Sequence, residues 1–410
     1  MPQPFNRPRP LDVAVHGDPS MRIGLLLRLA GTAPSVDALR AHVAERMHAL
    51  PALGTTLCDS GPQPRWDTLA PDLNLHVRSH LVPPGSSVES ALQHLRDASW
   101  PRHAPLWDLT LVHGYAGDEY GLFYRTHHAV QDAAGIVFAV ETLLSATPVP
   151  LERSSAVSRS LDAAPPPSLR HKAAAVRRLA RATAKSTRWP HPHYHHSTER
   201  TFRWTSVPDT ALRSAATPHG GTCNDAFIAA LALAVLAWEA EHHPQPPQNE
   251  LAIAIPVNLR HPQENNAPGN YVIPVQLRLP GLAMPLPDYV RETVRATAWV
   301  KKPQHCTALR SITDAIPPSV YRKSIERLIS PRYAAVAASQ FVMRNPLAYK
   351  NDPVRTIMPL TVLPRGAPLS VVLVRYQGTS TACFVTDSAL PGMDALHHHW
   401  QKILQSGLAD

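Results

Sequence analysis

Hydrophobic positions in the first 150 residues follow two different periods, which predicts strands alternating with helices. Short apolar runs predict strands at residues 21–29, 109–115 and 120–128. The turn sequence at residues 116–119 lies between the last two runs and predicts that they form a hairpin. Apolar residues recur at helical spacing over residues 36–50. A helix is also predicted over residues 133–144, with Asp132 as its N-cap.

Apolar residues in the second half of the chain also follow both strand and helix spacings. Strands are predicted at residues 251–257, 271–279, 369–377 and 381–386, and helices at 224–239, 288–301 and 318–329. Proline-rich breaks at residues 163–167 and 188–193 enclose a basic helix predicted over 169–187. The pattern therefore predicts an α/β protein with a first lobe at residues 1–150, a basic linker and helix at 151–200, and a second lobe at 201–410.

Composition narrows the class of protein. With 410 residues, 44% hydrophobic and 17% charged, the chain can bury a large core, and disorder throughout is excluded. It has no uninterrupted apolar run of about 18 residues and no apolar stretch near its start, which favours a cytoplasmic protein. Its four cysteines are far apart and form no Cys-x-x-Cys pair, so we expect neither a zinc site nor a disulfide framework.

The formal net charge of +9 is concentrated in one segment. Residues 153–203 contain eleven Lys or Arg and two acidic residues. No helix-turn-helix, zinc finger or aromatic RNA-binding motif accompanies this segment, so nucleic acid is not a predicted partner. A solvated helix is favoured over the alternative, a basic surface that steers anionic coenzyme A or an acidic carrier protein.

The chemistry is concentrated where the strand at 120–128 gives way to the helix at 133–144. His127 and His128 are adjacent, and Asp132 follows four residues after His128. Neighbouring strand residues point to opposite faces, so one of the two histidines can face a cavity. A neutral imidazole can accept a proton near pH 7, which makes this pair a candidate general-base site.

This His-His-x-x-x-Asp pattern resembles the HHxxxDG signature of the acyltransferase superfamily that contains chloramphenicol acetyltransferase, peptide-synthetase condensation domains and the wax ester synthase/diacylglycerol acyltransferases. The resemblance implies that His128 is the general base, with His127 in a supporting position and Asp132 mainly structural. Ala133 occupies the position of the signature glycine. A glycine permits backbone angles that alanine adopts less readily, so a remodelled turn is expected.

Further motifs, in the same order along the chain, resemble the wax ester synthase/diacylglycerol acyltransferase branch. They are Pro10-Leu-Asp12, Pro105-Leu-Trp107, Asn224-Asp225, Pro256-Val-Asn-Leu-Arg260, Gly269-Asn270 and Tyr376-x-Gly378. At residues 339–346 the family's Ser-Asn-x-Pro-Gly-Pro turn is reduced to Ser339 and Pro346. The resemblance implies two chloramphenicol-acetyltransferase-like lobes with a tunnel at their interface.

The resemblance also assigns roles to individual residues. Arg260 is expected to pair with Asp132. Asn258, Asn270 and Trp107 are candidate substrate-binding residues, although an asparagine at a strand end is also a common turn former. Asp132 has a second reading, in which it only caps the helix that follows it.

The resemblance implies an acyltransferase that moves an acyl group from a coenzyme A or carrier-protein thioester to a hydroxyl or amine. No metal and no cofactor are expected beyond acyl-CoA or acyl-phosphopantetheine as co-substrate, and peripheral contact with a membrane or lipid is compatible with this reading. One alternative is a condensation-type, ester- or amide-forming enzyme of natural-product biosynthesis. A second alternative is a non-catalytic binding protein that retains the fold, suggested by Ala133 and the altered segment at 339–346.

Overall fold

A computed structural model describes most of the chain. The described residues are 7–59, 63–101, 103–147, 149–155, 166–182, 196–242, 250–317, 320–321, 323–324, 333–364 and 367–406. Most of the helix predicted at 318–329 and the end of the basic helix predicted at 169–187 lie outside them.

Strands and helices are intermixed along the described chain. The strands are β1 (Arg22–Ala30), β2 (Thr55–Cys58), β3 (Arg65–Thr68), β4 (Val77–Leu81), β5 (Trp107–His113), β6 (Glu119–His127), β7 (Arg200–Pro208), β8 (Leu251–Asn258), β9 (Val272–Leu279), β10 (Val336–Met343), β11 (Ala348–Tyr349), β12 (Asp352–Leu360), β13 (Leu369–Tyr376) and β14 (Thr379–Asp387). The helices are α1 (Pro10–His16), α2 (Val36–Arg46), α3 (Leu73–His76), α4 (Val88–Asp97), α5 (Ala133–Leu144), α6 (Leu169–Ala182), α7 (Asp209–Ala216), α8 (Cys223–His242), α9 (Leu286–Thr297), α10 (Pro303–Ala315) and α11 (Leu396–Ser406).

Two six-stranded sheets form the framework, which confirms the predicted two-lobed α/β class. The first sheet has the order β11-β12-β1-β6-β5-β4, and the second has the order β7-β14-β13-β10-β8-β9. The predicted hairpin is present as the antiparallel pair β5–β6. In the second sheet β10 runs parallel to both β8 and β13, which places it in the sheet interior.

Two strands of the first sheet come from the later part of the chain. Strand β12 pairs antiparallel with β1, with Leu26 opposite Met358, and β11 extends the edge. Residues 348–360 therefore belong to the first sheet although they lie within 201–410. The division into 1–150, 151–200 and 201–410 stays a proposal, and this strand exchange physically links the two lobes.

Alternate residues of β1 show where the hydrophobic cores lie. Ile23 and Leu25 pack in a cluster with residues of α2 and α5 on one face of the first sheet. Leu26 points to the other face and packs with Phe202 and Val372 of the second sheet. The second face of the first sheet thus packs against the second sheet, as the period-2 geometry of a strand allows. Met343, Val374 and Tyr376 of the second sheet also join the cluster on the first face.

The long helix α8 fills the core of the second lobe. It is apolar and long enough to cross a membrane by length and composition, but 78% of its most hydrophobic window is buried inside the protein. Core helices of this kind are apolar on every side because they are surrounded by other elements.

Candidate active site

A cavity of about 430 Å³ lies between the two lobes. Its walls come from α1, β1 and the start of α5 on one side, and from β8, β9, β10 and β13 on the other. Most lining side chains are apolar, among them Val15, Ile23, Ile255 and Val371. Interfaces between lobes are favoured positions for ligand sites, and an apolar wall suits an acyl chain.

His128 is in the wall of this cavity, immediately after the end of β6. Its backbone N–H donates to the carbonyl of Met21 at 2.7 Å, which anchors the residue to the start of β1. Burial lowers the pKa of His128, while its own carbonyl, Asp132 and Asn270 oppose that shift. The ring is therefore neutral near pH 7. Its Nδ1 atom is enclosed, which leaves Nε2 as the nitrogen available to a bound substrate.

His127 points away from the cavity and is 1% exposed. Its Nδ1 accepts a hydrogen bond from the N–H of Ala129 at 3.1 Å, so Nε2 carries the proton and donates to the carbonyl of Asp18 at 2.9 Å. Burial lowers the pKa of His127 to about 4. A neutral ring with both nitrogens occupied has a structural role in the loop.

Asp132 holds the loop that carries His128. Its Oδ1 accepts from the N–H of Gly135 at 2.9 Å and from Arg260 at 3.1 Å, and its Oδ2 accepts from the N–H of Tyr271 at 2.9 Å. The predicted contact with Arg260 is confirmed, and so is the predicted helix cap. The two readings are not alternatives, because Oδ1 accepts from both the helix N–H and Arg260 at once.

Arg260 joins this loop to the second lobe and is fully buried. Besides Asp132, its guanidinium donates to the carbonyl oxygens of Glu264, Ala267 and Gly269. It also lies over the ring of Tyr271, 4.3 Å from the ring centre. A buried cation needs such partners, since desolvation of an unpaired charge is costly.

Ala133 fits its position without strain. It is the first residue of α5, and the backbone there is helical, so no left-handed conformation requires the glycine of the family signature.

We therefore expect Ala133→Gly to change kcat by less than about twofold and to lower the free energy of unfolding by no more than about 1 kcal/mol, because glycine gains backbone entropy when unfolded. Steady-state acyl transfer and urea unfolding of the two proteins measure this. A several-fold rise in kcat would instead show that the alanine restricts the site.

The two candidate asparagines have different surroundings. Asn258 lines the cavity, but its Oδ1 accepts from the N–H of Arg260 at 2.9 Å, so it forms the turn that the sequence left as an alternative. Asn270 is 1% exposed, and its Nδ2 donates to the carbonyl of His128 at 2.6 Å. Asn270 thus contacts the candidate base from behind.

The sequence interpretation wrongly assigned Trp107 to substrate binding. Its side chain is fully buried in the first lobe, away from the cavity, and its indole N–H donates to the carbonyl of Leu53 at 2.8 Å. The ring packs beside His76 and Tyr124. Trp107 stabilises the sheet behind the histidines, and the family motif around it marks a structural contact in this chain.

Sequence reasoning also missed the cavity wall formed by β10. The altered segment at 339–346 begins inside this strand, and Ser339 and Gln340 both line the cavity. The Oε1 of Gln340 is buried and has no hydrogen-bond partner in the described part of the chain. The available signal was two short apolar runs, 336–338 and 341–343, on either side of Ser339 and Gln340.

The basic helix α6 lies on the far side of the second sheet. Its Ala175 packs with Val257 and Ile273, whereas the cavity is lined by the intervening residues of the same two strands, Asn258 and Val272. Successive strand residues point to opposite faces. The helix is therefore separated from the cavity by the sheet, which agrees with the solvated helix favoured by the sequence.

Comparison with known proteins shows which proteins this chain resembles. Residues 21–190 match the model of the wax ester synthase/diacylglycerol acyltransferase catalytic domain. A protein of Mycobacterium tuberculosis named "Probable diacylglycerol O-acyltransferase" is 26% identical over 386 residues, covering 83% of this chain and 81% of the relative.

Solved structures share the fold. The wax ester synthase/diacylglycerol acyltransferase of Marinobacter aquaeolei VT8 superposes with a TM-score of 0.64 at 16% identity and covers 99% of both chains. The starter condensation domain of rhizomide synthetase, solved as a mutant in complex with C8-CoA, gives a TM-score of 0.67 at 13% identity and covers 99% of this chain and 95% of that one. Both similarities concern the two-lobed architecture.

Proposed function

We propose that this chain, which resembles the wax ester synthase/diacylglycerol acyltransferases, transfers an acyl group from a coenzyme A or carrier-protein thioester to a hydroxyl or amine, with His128 as general base. The observation that carries the proposal is the position of His128 in the wall of the cavity between the lobes. A base must lie within reach of the proton that it removes, so geometry is the first requirement.

The proposed reaction needs no covalent enzyme intermediate, since a thioester is already activated. Nε2 of His128 takes the proton of the acceptor hydroxyl or amine as its oxygen or nitrogen attacks the thioester carbonyl. The carbon–sulfur bond then breaks, and the imidazolium returns the proton to the departing thiolate. Burial lowers the pKa of His128, so the ring is in the proton-accepting form at neutral pH.

The shape of the cavity supports an acyl chain as the transferred group. Apolar side chains from both lobes line it, including Leu25, Val137 and Val371, and polar lining atoms are few. Burial of apolar surface is the term that would hold such a chain, at roughly 25 cal/mol per Å². The proposal adds no cofactor besides the thioester donor itself.

Donor and acceptor assays test the proposal. The purified chain is incubated with one acyl group presented as the coenzyme A thioester, on a carrier protein, or on N-acetylcysteamine, together with a long-chain alcohol, a diacylglycerol or an amine. We expect thiol release with at least one donor, matched by an ester or amide of the added acceptor in mass spectrometry.

The same assay separates the alternatives. Transfer from the carrier protein but not from free acyl-CoA would favour the condensation-type enzyme. Binding of acyl-CoA in calorimetry without thiol release from any donor would favour the non-catalytic binding protein and contradict the proposal.

A further inference from the structure

Helix α6 carries exposed apolar side chains on the surface of the second lobe. Leu169 is 84% exposed and Val176 is 52% exposed. A single exposed apolar residue is ordinary on a protein surface, whereas several on one face form a patch that can meet a partner. The four other exposed large apolar side chains among the described residues are scattered over separate segments: Leu75, Leu81, Leu282 and Val320.

The exposed apolar residues of α6 lie on one face of the helix. Leu169, Ala173 and Val176 are spaced by four and three residues, so they form a stripe along the helix, and all three are exposed. The opposite face is covered, because Ala175 packs against the second sheet. Both the covered face and part of the exposed face are therefore apolar, which solvation of the helix does not require.

Basic side chains border this stripe on both sides. At about 100° per residue around the helix axis, Arg170, Arg177 and Arg181 lie along one border and Lys172 lies along the other. All four are exposed. Residues 163–198 contain no Asp or Glu that would neutralise them locally. An exposed apolar stripe between cations is typical of a helix that lies in a membrane surface, with its apolar residues near the acyl chains and its cations at the phosphates.

The position of α6 favours a membrane over an acidic carrier protein as its partner. A carrier protein has to deliver its thioester into the cavity, and the second sheet separates α6 from that cavity. An anionic lipid surface has no such requirement. Its phosphates complement the cations, and the acyl chains beneath them complement Leu169 and Val176.

The covered side of α6 fixes the helix to the second lobe. Arg178 donates to the carbonyl oxygen of Ala296 at 3.1 Å and lies over the ring of Trp299, 5.2 Å from the ring centre. Arg178 is thus held within the fold and does not belong to the cations that border the stripe. A docked α6 would therefore carry the second lobe with it.

We propose that α6 docks this protein on an anionic phospholipid surface. Leu169 and Val176 enter the boundary between headgroups and acyl chains, and the bordering Arg and Lys side chains contact the phosphates. The inference goes beyond the proposed function, because it concerns a surface outside the cavity and needs no acyl transfer. Docking is reversible, since so small an apolar stripe attaches a protein far more weakly than a membrane-spanning helix does.

Vesicle sedimentation tests the docking with the full chain and without an acyl donor. Vesicles of phosphatidylcholine are compared with vesicles in which phosphatidylglycerol replaces part of the phosphatidylcholine. We expect the protein to sediment with the anionic vesicles and to stay largely in solution with the neutral ones, because each basic residue near an anionic surface strengthens binding about fivefold. Equal sedimentation with the two kinds of vesicle, whether complete or absent, would overturn the proposal.

Leu169→Gln/Val176→Gln removes the apolar stripe and keeps the charges. We expect its affinity for the anionic vesicles to fall at least about tenfold, because the apolar area that leaves water on docking is lost. Glutamine is a good helix former, so the far-ultraviolet circular dichroism should not change. Leu75→Gln/Leu81→Gln is the matched control, since both side chains are exposed on α3 and β4, and it should bind like the parent. Equal affinity of the α6 variant and the parent would refute the role of α6.

Arg170→Gln/Arg177→Gln removes two cations and keeps the stripe. We expect at least about a tenfold loss of affinity at low salt that shrinks as the salt rises, since exposed charges are screened over about 8 Å at physiological ionic strength. Arg65→Gln/Arg355→Gln lowers the net charge equally in other elements, β3 and β12, where both side chains are exposed, and should lose much less. Equal losses in the two variants would mean that the charge of the whole protein, and not α6, holds it on the vesicles.

A labelled acyl carrier protein in place of the vesicles tests the other class of partner. We expect its affinity, measured by fluorescence anisotropy, to be the same for the parent and for Leu169→Gln/Val176→Gln. If these substitutions weakened binding of the carrier protein and left vesicle binding unchanged, α6 would be a protein-binding surface and the membrane proposal would be wrong. Failure of the proposed function looks different, because a chain that transfers no acyl group would still dock through α6.

Discussion

Replacing His128 with alanine should lower kcat for acyl transfer by at least about a hundredfold, because general-base catalysis contributes about 10²- to 10⁴-fold. The substitution removes a ring from the cavity wall, where it is half-buried, so the fold should be kept. Thiol release at saturating donor and acceptor measures kcat, and circular dichroism during heating measures Tm. Equal turnover by His128→Ala and the parent, with any donor that works, would refute the role of His128.

His127→Ala is the matched control at the neighbouring position. His127 is buried and uses both ring nitrogens in hydrogen bonds to the loop, so its loss should lower Tm. Any loss of activity should follow the loss of folded protein. A larger fall in kcat for His127→Ala than for His128→Ala, at unchanged stability, would reverse the assignment of the two faces.

Asp132→Asn should lower the free energy of unfolding by about 3 to 5 kcal/mol, the cost of removing one partner from a buried ion pair. Arg260 would remain fully buried without its carboxylate. Urea unfolding followed by tryptophan fluorescence measures the change. Activity should fall with it, because Asp132 also binds the N–H groups of Gly135 and Tyr271 that shape the loop behind His128.

Asp132→Ser separates the ion pair from the helix cap. Serine is a good N-cap residue, so a loss of less than about 1 kcal/mol would mean that capping is the main role. We expect Asp132→Ser to be nearly as harmful as Asp132→Asn. The double variant Asp132→Asn/Arg260→Met should lose less unfolding free energy than the sum of the losses in the two single variants, since both single substitutions break the same pair.

Local patterns predicted the elements that carry the site. The strand that ends at His127, the helix from Ala133 and the cap by Asp132 are all observed, because each depends on residues that are neighbours in sequence. The opposite orientations of His127 and His128 follow from the same local geometry. The family motifs added the contact between Asp132 and Arg260, which periodicity alone does not contain.

Pairing and burial between distant segments lay beyond the sequence. The sequence placed residues 348–360 in the second lobe, but β12 completes the first sheet through hydrogen bonds to β1. A strand of either lobe has the same local pattern, so the sequence does not specify its partner. Trp107 was assigned to the substrate because its motif precedes the histidines, whereas strand direction and packing place its ring in the core.

The sequence by itself determined the mixed α/β class and the strand–loop–helix around His128, because these depend on local periodicity, and its short motifs carried the resemblance to a two-lobed acyltransferase family. Only the tertiary structure decided which polar groups lie behind His128. Asp12 and Asn270 are 258 residues apart in the chain, yet they are in hydrogen-bond contact behind His128. Burial there, away from water, raises the pKa of Asp12 to about 7. That environment is produced by packing α1 and both lobes together, and no local pattern encodes it.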